Sequence, residues 1–493
     1  MFLSNLNPLL FLSILPLMGI LILILFISDE DKIYLKYVSF FVSSFAFLFS
    51  LLLWINFSND TSFFQFSKTL SILPYLNLTY VIGLDGISLF FIVLSTFLIN
   101  ICILISWECV KFFLKEYLIC FLFLEFCLIQ VFCVLDIFLF YIFFESILIP
   151  MFLIIGIWGS RERKIRAAFQ FFLYTLIGSL FMLTSIIYIY STTGTSDLLI
   201  LWFTTFPDSL QIVLWLMFFF GFAVKIPMIP FHIWLPETHA EAPTAGSVIL
   251  AGILLKLGGY GFLRFSLPLF PFACIYFSPL VFLLSLIAII YGSLTTLRQI
   301  DLKKIIAYSS ISHMGFVTLG IFSLTLSGIE GSIMLMLSHG LISSAMFFCI
   351  GILYDRYGTR IIKYYGGLVK TMPIFTVFIM FFSFSNISFP GTSSFIGELM
   401  ILSGLIKVNF NLTFIALIGV ILSASYSIWL LNRISFITFK TQYFTYFQDV
   451  SRREFVILFI LSVCILWIGM YPKPFLNDIG FSTFNLIRHL TLN

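Results

Sequence analysis

Charge is what this sequence has least of. Asp, Glu, Lys and Arg together make up 10% of its 493 residues, whereas a soluble globular chain is usually about 25% charged. A water-facing fold is therefore excluded. The formal net charge is only +4, and the basic residues stand in short clusters between apolar runs rather than along a stripe, which excludes a nucleic-acid-binding face. The eight cysteines, at 102, 109, 120, 127, 133, 274, 349 and 464, contain no CxxC pair of the kind that zinc and iron–sulfur sites use. Most of them lie inside apolar runs, so neither a metal site nor a disulfide framework is expected. A glycine-rich fingerprint feeding a helix after a strand is also missing, and Gly258-Gly259-Tyr260-Gly261 reads as close packing of membrane helices. No bound cofactor is expected in this chain.

What the sequence has in quantity is hydrocarbon: 61% of its residues are hydrophobic and the mean hydropathy is +1.13. Apolar runs recur at the length of about 20 residues that a helix needs to cross a bilayer. Hydropathy windows place spans near 8–28, 34–57, 86–106, 115–134, 137–157, 167–191, 211–235, 244–267, 272–296, 302–325, 328–354, 373–407, 412–436 and 454–471. The first, from Pro8 to Ile27, is longer than a signal-peptide core and lacks a small-residue cleavage site, so it reads as a membrane helix. The expectation is an all-α polytopic membrane protein with about 14 transmembrane helices, forming a single membrane domain over 1–493.

The basic residues test that count. Lys and Arg gather in alternate loops, as in Arg161, Arg163, Lys164 and Arg166, then Arg298, Lys303 and Lys304, then Arg356, Arg360, Lys363 and Lys370. A miscount by one helix would scramble this segregation. By the positive-inside rule the basic loops face the matrix or cytoplasm, and both termini face the opposite side.

Four charges fall inside the spans: Glu145, Lys225, Lys256 and Glu398. Each costs about 2.5–3.5 kcal/mol at mid-bilayer, so together they would cost about 10–14 kcal/mol facing lipid. A bundle tolerates them only turned inward, toward partners or water. A buried Glu beside a buried Lys makes a site whose proton affinity changes when the pair separates, which is what a pump requires. The alternative is that they lock helices together as neutralised pairs; their number argues for function. Glu125 is a fifth such charge, with a face toward a neighbouring subunit as its other reading.

Two of the four sit on helices that the sequence itself interrupts. Lys225 opens Lys225-Ile226-Pro227-Met228-Ile229-Pro230, and prolines this close free backbone carbonyls that must find other partners. Ser388-Phe389-Pro390-Gly391 precedes Glu398 in the same way. Broken helices in corresponding positions suggest an internal repeat, with spans 1–3 over 1–110, a first five-helix repeat (spans 4–8) over 115–267, an inverted second one (spans 9–13) over 272–436, and a C-terminal helix and tail over 454–493. Faint matches support it: Leu176-Ile177-Gly178-Ser179 with Leu341-Ile342-Ser343-Ser344, and Lys225-Ile226-Pro227 with Ser388-Phe389-Pro390. His232 lies seven residues after Lys225, two turns along the same face if the helix continued. His313 and His339 lie in later spans beside Ser310, Ser312, Ser338 and Ser343, as relay groups or as hydrogen-bonded packing.

The stretch Pro230 to Arg264, PFHIWLPETHAEAPTAGSVILAGILLKLGGYGFLR, is long and specific. With FLFYIFFESILIPM (138–151), AYSSISHMGF (307–316) and FPGTSSFIGELMIL (389–402) it resembles the subunit 4 family of mitochondrial NADH:ubiquinone oxidoreductase and its bacterial equivalents, antiporter-like membrane subunits of respiratory complex I. The resemblance spans roughly 85 to 435; the ends agree only in hydropathy.

The resemblance implies a proton-translocating subunit in which Glu145 pairs with and tunes Lys225, Lys256 relays, and Glu398 is the exit group, with His232, His313 and His339 on the same polar axis. It implies that NADH, FMN, iron–sulfur clusters and ubiquinone are used by partner subunits of the holoenzyme. The implied partners are other membrane-arm subunits, including antiporter-like neighbours, and lipids. The implied location is the mitochondrial inner membrane, with basic loops in the matrix and termini in the intermembrane space. Two other readings stand beside it: a subunit of a multisubunit cation/proton antiporter, and a membrane spacer that transmits motion without conducting protons.

Overall fold

The computed structural model describes residues 7–73, 78–438, 443 and 447–492. Among these the chain is mainly helical, with 13 helices long and apolar enough to cross a membrane. The count falls one short of fourteen because the 373–407 span is not one helix. It is two short ones, Pro373–Asn386 and Ser393–Val408, parted at the interruption the sequence marked. Pro390 has no N–H to continue a ladder, and Ser388 and Gly391 adopt φ of +66° and +92°. The left-handed conformation costs a non-glycine residue about 1–2 kcal/mol. Packing holds the break in place: a Cβ on Gly469, in helix Arg452–Met470, would stand 2.4 Å from the Gly391 carbonyl oxygen.

The other expected break is also present. Helix Asp208–Lys225 stops at Lys225, and turns lead to the short helix Trp234–Glu241. The helix does not continue to His232, so the condition for a shared face of Lys225 and His232 is not met.

An all-α expectation missed one feature. Strands β1 (Gln65–Leu73) and β2 (Leu78–Leu84) pair as an antiparallel hairpin, with Lys68 opposite Ile82 and Leu70 opposite Tyr80. Two strands this short vanish inside a 19-residue hydropathy window. The tail that follows the last expected span is helical over Lys473–Leu492.

Backbone contacts divide the chain into two compact units: Met1–Lys225 with Leu257–Phe277 and Asn477–Asn493, and Ile226–Lys256 with Ser278–Leu476. In the first, Asp85 caps helix Gly86–Ile105 through a capping box with Ser88 and accepts a 2.5 Å bond from Arg264. Both side chains are buried. Phe91, Phe132 and Phe140 pack around Tyr260, which donates to the Phe132 carbonyl at 3.1 Å. The outer helices Pro8–Phe26 and Lys32–Ile55 instead turn Leu25, Phe26, Ile33 and Phe41 outward, apolar surface that only lipid or a partner subunit accommodates.

In the second unit, helix Leu326–Tyr357 is the buried axis. Helix Ser393–Val408 lies against it by way of small residues: a Cβ on Gly397 would stand 2.8 Å from Leu335 N, and one on Gly331 2.8 Å from Ile401 N. Within a bilayer, van der Waals contact of this closeness takes over the role that hydrophobic burial has in water. The consequence is positional, because Glu398 follows Gly397 directly.

Candidate functional site

In the first unit, Glu145 sits in the last turn of helix Ile137–Ser146. The span pauses at Ile147 before resuming as Leu148–Trp158; Pro150 explains the pause, since its ring clashes with the carbonyl four residues back, at Ser146. Lys225 ends helix Asp208–Lys225, so the break gives its ammonium a helix C-terminus, the negative end of the dipole, inside an apolar surround. Gly178 and Gly221 set the separation of helices Lys164–Thr193 and Asp208–Lys225: a Cβ on Gly178 would stand 3.1 Å from the Phe220 carbonyl oxygen.

Lys225 is buried, and its Nζ lies 4.4 Å from the centre of the Phe144 ring, next in sequence to Glu145. The Glu145 and Lys225 charges interact electrostatically but form no direct ion pair, and Glu145 Oε1 is buried with no hydrogen-bond partner among the described residues. This is a pair held apart. Glu125, on helix Leu114–Cys133, is fully buried inside the chain rather than turned to a neighbour, and neither carboxylate oxygen has a hydrogen-bond partner among the described residues.

The second unit brings four of the expected residues into one line. Leu250–Leu254 is a π-helical turn, a geometry frequent at functional sites because it leaves a carbonyl outside the regular ladder. Lys256 Nζ donates to the carbonyl of Ala251, within that turn. The same Nζ stands 2.8 Å from His339 Nδ1. The His339 and His313 rings are 5.6 Å apart at their centres. His313 Nδ1 then lies 3.2 Å from Glu398 Oε1, and His313 Nε2 lies 3.1 Å from Asn386 Oδ1. Asn386 Nδ2 donates to the Tyr426 hydroxyl at 3.4 Å. Lys256, His339, His313 and Glu398 are all buried.

His232 does not join this line. Its ring lies 5.6 Å from that of Tyr291 and 6.4 Å from that of Tyr308, and its Nδ1 is buried with no hydrogen-bond partner among the described residues. Sequence reasoning missed Asn386 and Tyr426. An amide in the apolar helix Pro373–Asn386, directly before a break, was a usable signal; a tyrosine among 21 tyrosines was not.

The arrangement sets groups that can accept and donate protons close to one another: Lys256 beside His339, and His313 beside Glu398. Among the described residues no three His, Cys, Asp or Glu side chains converge as metal ligands.

Comparison with known proteins places these residues in context. The family model described as "NADH:quinone oxidoreductase/Mrp antiporter, TM" matches residues 134–425. The chain is 65% identical over 482 residues to NADH-ubiquinone oxidoreductase chain 4 of Chondrus crispus, covering 98% of each. It is 57% identical over 488 residues to the corresponding protein of Marchantia polymorpha, covering 99% of this chain and 98% of that one. Among solved structures it resembles a chain of respiratory complex I from Thermus thermophilus with bound NADH, at a TM-score of 0.89 and 27% identity, over 98% of this chain and 99% of that one.

Proposed function

The chain belongs to the membrane-subunit family shared by NADH:quinone oxidoreductases and Mrp antiporters, and on that premise we propose that it carries protons through the buried line Lys256, His339, His313 and Glu398, with Glu145 and Lys225 as a switching station. It is a proton-translocating membrane subunit of NADH:ubiquinone oxidoreductase. NADH, FMN, the iron–sulfur clusters and ubiquinone are handled by other subunits of that enzyme, and its partners are the other membrane-arm subunits, antiporter-like ones among them, together with lipids. The location is the mitochondrial inner membrane, with the basic loops on the matrix side and both termini on the other. The five-helix repeats over 115–267 and 272–436 belong to the same reading; one proline-containing break in each supports them.

The observation that carries the proposal is the contact between His313 and Glu398. If His313 Nε2–H donates to Asn386, then His313 Nδ1 and Glu398 share one proton between them, carried by the imidazole or by the carboxyl. That proton moves by a small displacement, without a change of fold. Lys256 works similarly at the other end: when charged it has only donors, so His339 Nδ1 must be unprotonated and ready to accept. At the station, Lys225 is attracted by Glu145 but not bound to it, and a change in their separation shifts the proton affinity of both. Electron transfer in partner subunits acts on that separation.

Replacing Lys225 by Ala tests the proposal in the intact enzyme. NADH:ubiquinone turnover and proton translocation should fall together, by about tenfold or more, with the complex still assembled on a native gel stained for NADH dehydrogenase activity. Normal assembly with full proton stoichiometry would overturn it. Migration of the chain in a smaller particle without that activity would favour the cation/proton antiporter reading.

A further inference from the structure

What passes between His313 and Glu398 depends on which imidazole nitrogen carries the proton of the neutral ring, and the residues behind His313 decide that. Asn386 and Tyr426 stand there, both buried, at the end of helix Pro373–Asn386 and within helix Phe410–Leu431. His313 Nε2 lies 3.1 Å from Asn386 Oδ1, and Asn386 Nδ2 lies 3.4 Å from the Tyr426 hydroxyl. The other side chains within hydrogen-bonding reach of that hydroxyl are Ser312 and Ser309, on the helix Leu302–Phe322 that carries His313, while Glu398 acts on it through charge alone. An amide can turn end for end and present either its oxygen or its NH2 to the imidazole. Facing oxygen, neutral His313 holds its proton on Nε2; facing NH2, it holds it on Nδ1.

The serines settle which way the amide faces. Ser309 Oγ donates to the Ile306 carbonyl and Ser312 Oγ to the Ser309 carbonyl, each at 2.8 Å. A hydroxyl has one proton to give, so toward Tyr426 both serine oxygens only accept. The Tyr426 proton therefore goes to them, and the Tyr426 oxygen is left to accept from Asn386 Nδ2. The amide oxygen then faces His313 Nε2, which must be the donor. Each group in the row is oriented by the one behind it, and the row ends on main-chain carbonyls of helix Leu302–Phe322, which cannot turn.

We propose that Asn386 and Tyr426 are positioning residues that lock one His313 proton onto Nε2, so that Nδ1, the nitrogen 3.2 Å from Glu398 Oε1, is the site at which His313 gains and loses a transferred proton. The proposal rests on the proton-translocating reading and gives its last step a mechanism. Neutral His313 accepts a proton at Nδ1 and becomes an imidazolium. That proton then passes to the Glu398 carboxylate, leaving a neutral imidazole and a carboxylic acid, with the Nε2–H bond unchanged throughout. With the amide reversed, Nδ1 would already carry the proton of the neutral ring, and an arriving proton would find Nε2 turned to an NH2 group that only donates. Loading would stop. A pair that merely tied helices together would serve equally well in either orientation of the amide.

Asn386→Leu keeps the side-chain size and removes both polar atoms, so neutral His313 places its proton on Nδ1, toward the Glu398 carboxylate. Tyr426→Phe keeps the ring and frees the amide to turn. Per assembled enzyme, N386L should lower NADH:ubiquinone turnover and proton translocation about tenfold. Y426F should lower them about twofold, because the amide then divides its time between two orientations. Two readouts separate positioning from packing. Proton transfer at His313 becomes the slow step, so the ratio of turnover in H2O to turnover in D2O should rise above the wild-type ratio in both variants. Tyr426 acts only through Asn386, so the N386L/Y426F double variant should turn over as N386L alone does. Losses that multiply in the double variant, or an unchanged isotope ratio, overturn the proposal. So does wild-type turnover in N386L beside a loss in Glu398→Gln, which leaves the translocation reading standing; wild-type turnover and stoichiometry in both overturn that reading itself. Should N386L leave no assembled enzyme, Y426F decides by its isotope ratio, a rise supporting the lock and the wild-type ratio overturning it.

Discussion

His313 Nδ1 lies 3.2 Å from Glu398 Oε1, and both side chains are buried. Glu398→Gln keeps the size and removes the charge, so the two sites can no longer trade one proton. Expected is a loss of proton translocation of about tenfold or more, read from acidification of vesicles holding the assembled enzyme, with assembly unchanged. Full translocation in E398Q would remove Glu398 from the path.

Lys256 separates function from stability. Methionine has a similar volume and no charge, and replacing a buried charge by a well-packed apolar group is often neutral or stabilising by about 1–4 kcal/mol. Lys256→Met should therefore assemble at least as well as the wild type while losing coupled turnover. A variant that assembled poorly would mark Lys256 as structural.

The Arg264–Asp85 pair is the opposite case. It is not among the residues of the proton line, and its 2.5 Å bond and the capping box fix the start of helix Gly86–Ile105. Arg264→Met leaves a buried carboxylate unpaired, which costs about 3–5 kcal/mol. Less assembled enzyme is expected, with turnover per assembled enzyme unchanged. Burial works against the Asp85 carboxylate, but the Arg264 charge and the Arg264 and Ser88 hydrogen bonds outweigh it and hold it below the usual range. Because the folded value is the lower one, the stabilisation is present above the unfolded value and is lost as pH falls below about 4. Thermal stability measured against pH, wild type beside Asp85→Asn, checks the sign: only the wild type should lose this contribution on acidification.

Gly397→Ala probes how Glu398 is placed. The added methyl would stand 2.8 Å from Leu335 N and 2.9 Å from Leu335 Cα, backbone atoms that cannot turn aside. Overpacking of this kind costs about 1–3 kcal/mol. Both assembly and coupled turnover should fall, because helix Ser393–Val408 must move away from helix Leu326–Tyr357 and take Glu398 with it. Wild-type behaviour of G397A in a native gel and a turnover assay would show that the contact is not limiting.

Most of the candidate site was legible before any coordinates. Glu145, Lys225, Lys256 and Glu398 stand out because a charge in an apolar run has few innocent explanations, and the two breaks were visible as prolines and glycine. Tyr426 was not legible: it is one tyrosine among 21, and a tyrosine in an apolar span carries no penalty that would draw attention. The hairpin Gln65–Leu84 was missed for a related reason, since the signal of membrane helices is length and two short strands have none.

The sequence by itself determined that this is a multi-pass membrane chain, where most of its helices begin and end, and which residues the bilayer forces inward. Those are local properties, set by the thickness of hydrocarbon and the cost of a charge within it. Which inward residues meet was decided only by the tertiary structure. Lys256 finds His339 across 83 positions and Arg264 finds Asp85 across 179, while Lys225 and His232, seven apart, share no helix face. The reason is geometric: a partner across the bundle depends on how each helix is rotated and how closely it approaches its neighbour. Contacts such as Gly397 on Leu335 fix both, and hydropathy says nothing about either.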